Sequence, residues 1–323
     1  MSSGKNWLRL GAAFFTILVG VPAFGAFVIT PTFTAAFNAD FGANAVAAQN
    51  AWKAAASVFT SNFTDNINVN ITVDAVNGTS VFGQSNTFLD KFSYATLYAA
   101  VVADAKTADD ATATGIGGSV SPVDPTGGAG NWWVTTAEAR ALGLPDSTAV
   151  DGTTTFGAGN PFTFSGPIAA GTYDFQGIAA HEISEVLGRL GISGGTIGST
   201  ANSYSLIDLF SYTGAGARGL TPGAGENFSI DNGTTLLKLY NNPNVNHLDS
   251  RDWAPGTNDS LNQFSDSGVI NPVSDVDLRE MDVIGYDRSF GGAVPEPSSV
   301  FLLAIFVVAA DLLRRRAASR RAE

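Results

Sequence analysis

Residues 66–75, NINVNITVDA, alternate Ile67, Val69, Ile71 and Val73 against polar neighbours. A period of two places the apolar row on one face, which predicts a half-buried strand. FVITPTF (27–33) reads as an earlier strand. Between the two, residues 44–60 carry Val46, Ala47, Trp52, Ala55, Ala56 and Phe59 at three- and four-residue spacing, the stripe of an amphipathic helix. Strand, helix and strand of these lengths predict a βαβ crossover onto a parallel sheet. Further on, 93–106 reads as a second helix and the Gly/Pro-rich 115–131 as a loop. WWVT (132–135) reads as a short strand and 136–144 as a helix capped by Thr135 or Thr136. Residues 153–159 and 162–165 read as strands that could form a hairpin, and 172–190 as a helix. The chain then becomes loop-rich. Short strands are expected at 227–231 and 235–240, a polar irregular segment at 241–253, and a last helix at 274–287 with Ser274 as its cap.

The two ends read as addresses. Residues 1–25 hold Lys5 and Arg9, then an apolar run, then Ala23-Phe24-Gly25, the layout of a secretory signal peptide cut after Gly25. The run is short for a retained membrane anchor. At the other end, Pro295-Glu296-Pro297 precedes the apolar run VFLLAIFVVAADLL and a cluster of arginines. This three-part tail, 291–323, resembles the PEP-CTERM sorting signal. The resemblance implies export to the cell surface of a Gram-negative bacterium, transient anchoring in the inner membrane, cleavage by an exosortase-type enzyme, and a link to extracellular polymer or biofilm. A plain C-terminal anchor is the simpler alternative. In either case the domain between the ends, 26–290, faces outward. Taking out the seven basic and three acidic residues of the two ends moves the formal net charge from −12 to −16. So acidic a domain is a poor partner for nucleic acid. With no cysteine in the chain, disulfides and thiolate chemistry are excluded.

The chemistry concentrates in AAHEISEVLGRLG, 179–191. On a helix, residues four apart share a face, so His181 and Glu185 project together and can share a metal ion. Glu182 lies one position on and can act as general base. Ile178, Ile183, Val186, Leu187 and Leu190 supply the buried side. This is the mechanical content of the HExxH pattern, with Glu185 where the second histidine would stand. Gly188 and Gly191 fall at the seventh and tenth positions after His181; the longer pattern HExxHxxGxxH has glycine at the first of these and histidine at the second. The glycine fits and the third histidine is missing. The bland alternative is a buried core helix in which His181 serves an internal hydrogen-bond network.

HEISEVLGR, then SLIDLFSY with Arg218 soon after, then NFSIDNGTTLL and LREMDVIGYD, together resemble a family of exported PEP-CTERM proteins classed as zincin-type metalloproteases. The resemblance covers most of the chain from FVITPTF to IGYD. It implies an α+β, zincin-like (metzincin-related) domain: a mixed twisted sheet, a central metal-bearing helix and an irregular C-terminal half. It implies a zinc-dependent endopeptidase acting on peptide or protein substrates. His181 and Glu185 would be metal ligands and Glu182 the base. Asp208, a lone carboxylate among Leu206, Ile207, Leu209 and Phe210, is the first choice for third ligand, and His247 the second. Asp208 could instead pair with Arg189 or Arg218. Two anionic ligands would neutralise a dication more fully than imidazoles do and leave its water less acidic. A non-catalytic surface or matrix protein on the same scaffold, with a degenerate metal site, is therefore the rival reading.

The remaining candidates are weaker. Met281 sits in the last predicted helix and reads as core. Asp275, Asp277, Glu280 and Asp282, and likewise Asp249 and Asp252, read as solvated acidic runs. Calcium is a second cation that such an acidic exported domain could hold, but neither run has EF-hand spacing. No GxSxG, dinucleotide or Walker pattern occurs in a suitable context.

Overall fold

The computed structural model describes residues 26–246 and 249–289. The signal peptide and the sorting tail expected at the two ends, and His247, lie outside the described residues. Among the described residues no helix is long and apolar enough to cross a membrane.

The predicted crossover forms. Strand β1 (Val28–Phe33) pairs in parallel with β2 (Asn68–Val76), and α2 (Ala45–Asn62) connects them. A short helix, α1 (Ala35–Phe41), precedes α2, with the Thr34 hydroxyl accepting from Phe37 N at its start. The alternation read along β2 is real: Val69, Ile71, Val73 and Ala75 are buried and their neighbours are not. Trp52 of α2 is wholly buried over the sheet, with its indole N–H on the Thr154 hydroxyl at 3.1 Å.

Beyond β2, the sheet continues with β6 (Gly152–Gly157), in parallel, and ends with β3 (Gly83–Thr87), antiparallel to β6; the order is β1-β2-β6-β3. The expected hairpin at 153–165 does not form. β6 is interior to the main sheet, whereas β7 (Phe162–Thr163) pairs in parallel with β8 (Tyr173–Asp174). Both flanks of β6 are satisfied by β2 and β3, so it has no free edge to offer β7.

A second mixed sheet runs β4-β5-β10-β9, from β4 (Leu89–Phe92), β5 (Asn131–Thr135), β10 (Thr200–Ser205) and β9 (Gly195–Ile197). An antiparallel sheet follows, ordered β12-β11-β13-β14: β12 (Ala217–Arg218), β11 (Ser211–Gly214), β13 (Asn227–Phe228) and β14 (Lys238–Leu239). The other helices are α3 (Tyr94–Asp104), α4 (Ala108–Thr114), α5 (Thr136–Ala141), α6 (Phe175–Val186), α7 (Pro243–Asn246) and α8 (Asp275–Val283). Thr135 caps α5 and Ser274 caps α8, each in a reciprocal capping box. The described residues thus form a mixed α+β fold with two mixed sheets, an antiparallel sheet and a two-stranded parallel pair, and their buried apolar side chains form one cluster from Phe27 to Tyr286.

Helix α6 occupies the centre of that cluster. It packs along α2 on one side and against β3 and β6 on another. The Asp174 carboxylate caps it, accepting from Gln176 N at 3.1 Å. The helix ends at Val186. Gly188 follows with φ +119°, where a Cβ would press on the Glu138 carboxylate. Only glycine turns the chain so tightly against that carboxylate.

Candidate metal centre

His181, Glu182 and Glu185 lie where the i, i+4 argument places them, on the face of α6 that lines a cleft of about 510 Å³. Gln84 and Ser85 of β3 form one wall and Asn262 to Ser265 contribute to another, with Phe82, Tyr173 and Ile178 giving the cleft an apolar end.

The His181 ring is held by its rear nitrogen. Nδ1 lies 3.0 Å from the Ser260 carbonyl, which can only accept, so Nδ1 carries the proton there. Nε2 is then turned toward the cleft. It lies 3.5 Å from Glu185 Oε1 and 3.5 Å from Asp252 Oδ1. One ligand atom from each of these three residues falls within 4.8 Å of the others. A third donor therefore does converge on His181 and Glu185, and it is Asp252.

Asp208 is elsewhere. Its carboxylate accepts from Ile192 N, Ser193 N, the Ser193 hydroxyl, Ser205 N and the Ser205 hydroxyl, and pairs with Arg251 Nε at 3.0 Å. Arg251 also pairs with Glu226 at 2.8 Å. Asp208 is fully buried, has its lone pairs taken and faces a guanidinium, so it is no ligand of this centre. The expected pairing with an arginine does occur, but with Arg251 and not with Arg189 or Arg218.

Asp252 is equally unlike the solvated acid its sequence setting suggested. It is 3% exposed. Its neighbour Trp253 stacks on Tyr240 with centroids 4.9 Å apart, and donates its indole N–H to Asp277 at 2.7 Å. Trp253 N also bonds the Leu261 carbonyl. The segment that supplies Asp252 is thereby tied to the one that supplies the Ser260 carbonyl. In sequence Asp252 stands between Arg251 and Trp253, two large side chains that are both buried, but nothing in that polar irregular stretch announces it. Gly191, where the longer pattern has its third histidine, touches Arg251 and Ser250, and any side chain there would collide with them. The second acidic run is also mostly interior: Asp277, Glu280 and Asp282 are buried while Asp275 is exposed. Met281 is buried, as its core reading required.

The electrostatics of the centre follow from burial and proximity. Burial alone would lower the His181 pKa, but the Asp252 carboxylate overrides it and Glu185 adds to it, against Arg189, so the basicity of the ring is raised. For Glu185, burial pushes up, yet its proximity to His181 and Arg189 and the hydrogen bond from Ser85 hold it below the usual carboxylate range. The Ser85 hydroxyl donates to Glu185 Oε2 at 2.6 Å, which fixes that carboxylate and leaves Oε1 toward His181. Glu182 is pushed well above the usual carboxylate range, first by burial and then by the charge of Glu185. Asp249 on the cleft wall is exposed, yet its pKa is raised by partial desolvation in the cleft and by the charges of Glu185 and Asp252.

A cation is already at hand. Arg189 is 1% exposed. Its Nη1 pairs with Asp252 Oδ1 at 2.7 Å, and its Nη2 lies 3.2 Å from His181 Nε2 and 3.8 Å from Glu185 Oε1. Two N–H donors at 3.2 Å would repel, so the contact suits the neutral ring with its lone pair at Nε2, in spite of the upward pull of the carboxylates. That is also the form that ligates a metal. One imidazole and two carboxylates, with the ring and one carboxylate held from behind by a carbonyl and a hydroxyl, fit a zinc-type ion by donor chemistry. The imidazole makes the set a poor match for calcium, which takes oxygen ligands.

No protein-family model, curated protein or solved structure matches the chain.

Proposed function

We propose that the protein is an exported metal-dependent endopeptidase on a zincin-like scaffold. The observation that carries this reading is the convergence of His181, Glu185 and Asp252 on one point at the wall of a cleft, with Glu182 beside them. A bound zinc-type ion would acidify a water molecule and polarise the scissile carbonyl. The chain's own residues supply the rest. His181, Glu185 and Asp252 hold the ion. Glu182, with its raised pKa, is suited to take a proton at its carboxylate and pass it to the leaving amine. Its own neighbour is strand β3: a Cβ on Gly83 would collide with Glu182 Oε1, so glycine is what lets the base and the strand lie this close.

Strand β3 also suggests how substrate would lie. It pairs with β6 on one side only and forms the edge of the main sheet, with Gly83, Gln84 and Ser85 lining the cleft. An extended peptide can add to such an edge through main-chain hydrogen bonds. β6, by contrast, is interior to the sheet and offers no free edge. Export, surface display and processing of the tail by an exosortase-type enzyme belong to the same proposal and rest on the two end segments of the sequence.

The test is direct. Purified protein should carry about one zinc-type ion per chain and cleave casein or short peptides. Glu182→Gln should keep the metal and lose cleavage by at least about a hundredfold, the scale of a general base. His181→Ala should lose both. A second reading, the non-catalytic surface or matrix protein, is favoured by one observation: the Arg189 guanidinium already compensates the two carboxylates. Wild type and Glu182→Gln equally inert on these substrates would establish it.

A further inference from the structure

Arg189 stands three residues past the end of α6, and its backbone N–H returns to the Ser184 carbonyl at 3.0 Å. This turn at Gly188 sends its side chain back along the helix toward His181. Nε donates to the Ser184 hydroxyl at 2.8 Å, and Nη1 to Asp252 Oδ1 and to the Arg251 carbonyl at 3.2 Å. Those contacts anchor two of the three guanidinium nitrogens. Nη2 is left among the proposed ligands, within 4 Å of both His181 Nε2 and Glu185 Oε1.

We infer that Arg189 is a resident cation of the metal centre, which holds Asp252 in register and, through Nη2, competes with a metal ion for His181 and Glu185. The inference rests on the metal reading given above. Its physical basis is charge and rigidity. Glu185 and Asp252 are buried carboxylates, and the Arg189 guanidinium is a buried cation within 4 Å of an oxygen of each. Arg189 supplies that charge and satisfies the His181 lone pair. A dication entering the triangle meets a like charge at contact distance. The guanidinium is planar, so Nη2 cannot withdraw while Nε stays on Ser184 and Nη1 on Asp252. Metal uptake must break those bonds too. Loading is therefore an exchange of one cation for another.

The test is zinc binding by the full chain, by competition against a chromophoric chelator, for wild type, Arg189→Met and Ser184→Ala. Removing the guanidinium should tighten zinc binding by about ten- to a hundredfold, the range that residues behind the ligands exert on metal sites. Ser184→Ala frees the Nε anchor and drops the hydroxyl's bond to the His181 carbonyl, favours the helix, and should shift affinity the same way by a smaller factor. Unchanged or weaker binding by Arg189→Met, with one zinc in wild type, would overturn the inference and leave the metal reading standing. If neither wild type nor any variant binds zinc, both fall. If Arg189→Met does not fold, Ser184→Ala decides alone: tighter binding supports the competition, and equal or weaker binding ends it.

Discussion

Asp208 and Asp252 are both buried, and both pair with an arginine, but their surroundings give them different work. Asp208 spends its oxygens on the backbone and hydroxyls of Ser193 and Ser205 and on Arg251. Asp252 meets Arg189 through Oδ1, the same oxygen that faces His181. Asp208→Ala should destabilise the fold by about 3–5 kcal/mol, since it takes from buried Arg251 one of its two carboxylates and leaves the buried donors of Ser193 and Ser205 without their acceptor. It should leave the zinc content of the folded fraction unchanged. Asp252→Ala should remove stoichiometric zinc. Urea denaturation and metal analysis of the two variants check this, and a reversed pattern would return the third-ligand role to Asp208. His181, Glu182 and Glu185 were legible in the sequence because helical spacing is local and fixes which side chains share a face. Asp252 was not, because it reaches the helix through a long irregular segment, and nothing in a polar stretch declares that this carboxylate will be buried.

At the scale of elements, β3 and α6 form the site together. α6, β1, β2 and α2 were readable because each carries a strong apolar period. GQSNT of β3 carries none. It is an edge strand with little apolar surface to bury, so no pattern marks it. Its position is fixed by β6 and by the close approach of Gly83 to Glu182. Gly83→Ala tests that approach. The added methyl should force Glu182 aside at an overpacking cost of about 1–3 kcal/mol. The expected result is retained zinc with a kcat reduced at least about tenfold, measured on a peptide that wild type cleaves. Full activity would show that Glu182 does not need the position it holds against β3. The same reasoning explains the missing hairpin: 153–159 and 162–165 look like partners when read in order, but β2 and β3 claim both flanks of β6.

Across the whole molecule, the net negative charge has a structural counterpart in acids buried away from the cleft. Asp65 is pushed up to about 7 by burial and by the charge of Asp287, and Asp282 to about 7 by burial and by its acidic neighbours. Asp104 reaches about 6 for the same reasons, although Lys106 opposes the shift. Their ordinary value in an unfolded chain is about 4. Between those limits the folded state holds protons that the unfolded chain has released, so unfolding stability falls as pH rises from about 4 toward 7. The melting temperature should be higher at pH 5 than at pH 8; a flat or rising profile would show that these acids are ionised at little cost in the fold. Such an arrangement of buried acids was invisible in the sequence, where the run near Asp277 looked like a solvated face, because burial depends on how α8 packs and not on composition.

The most direct test of the central claim is an anomalous difference map, at the zinc edge, from crystals of zinc-loaded protein. The account predicts one strong peak about 2.0–2.2 Å from His181 Nε2 and from a carboxylate oxygen of each of Glu185 and Asp252. No peak at that point, with Arg189 still seated against His181, would contradict it.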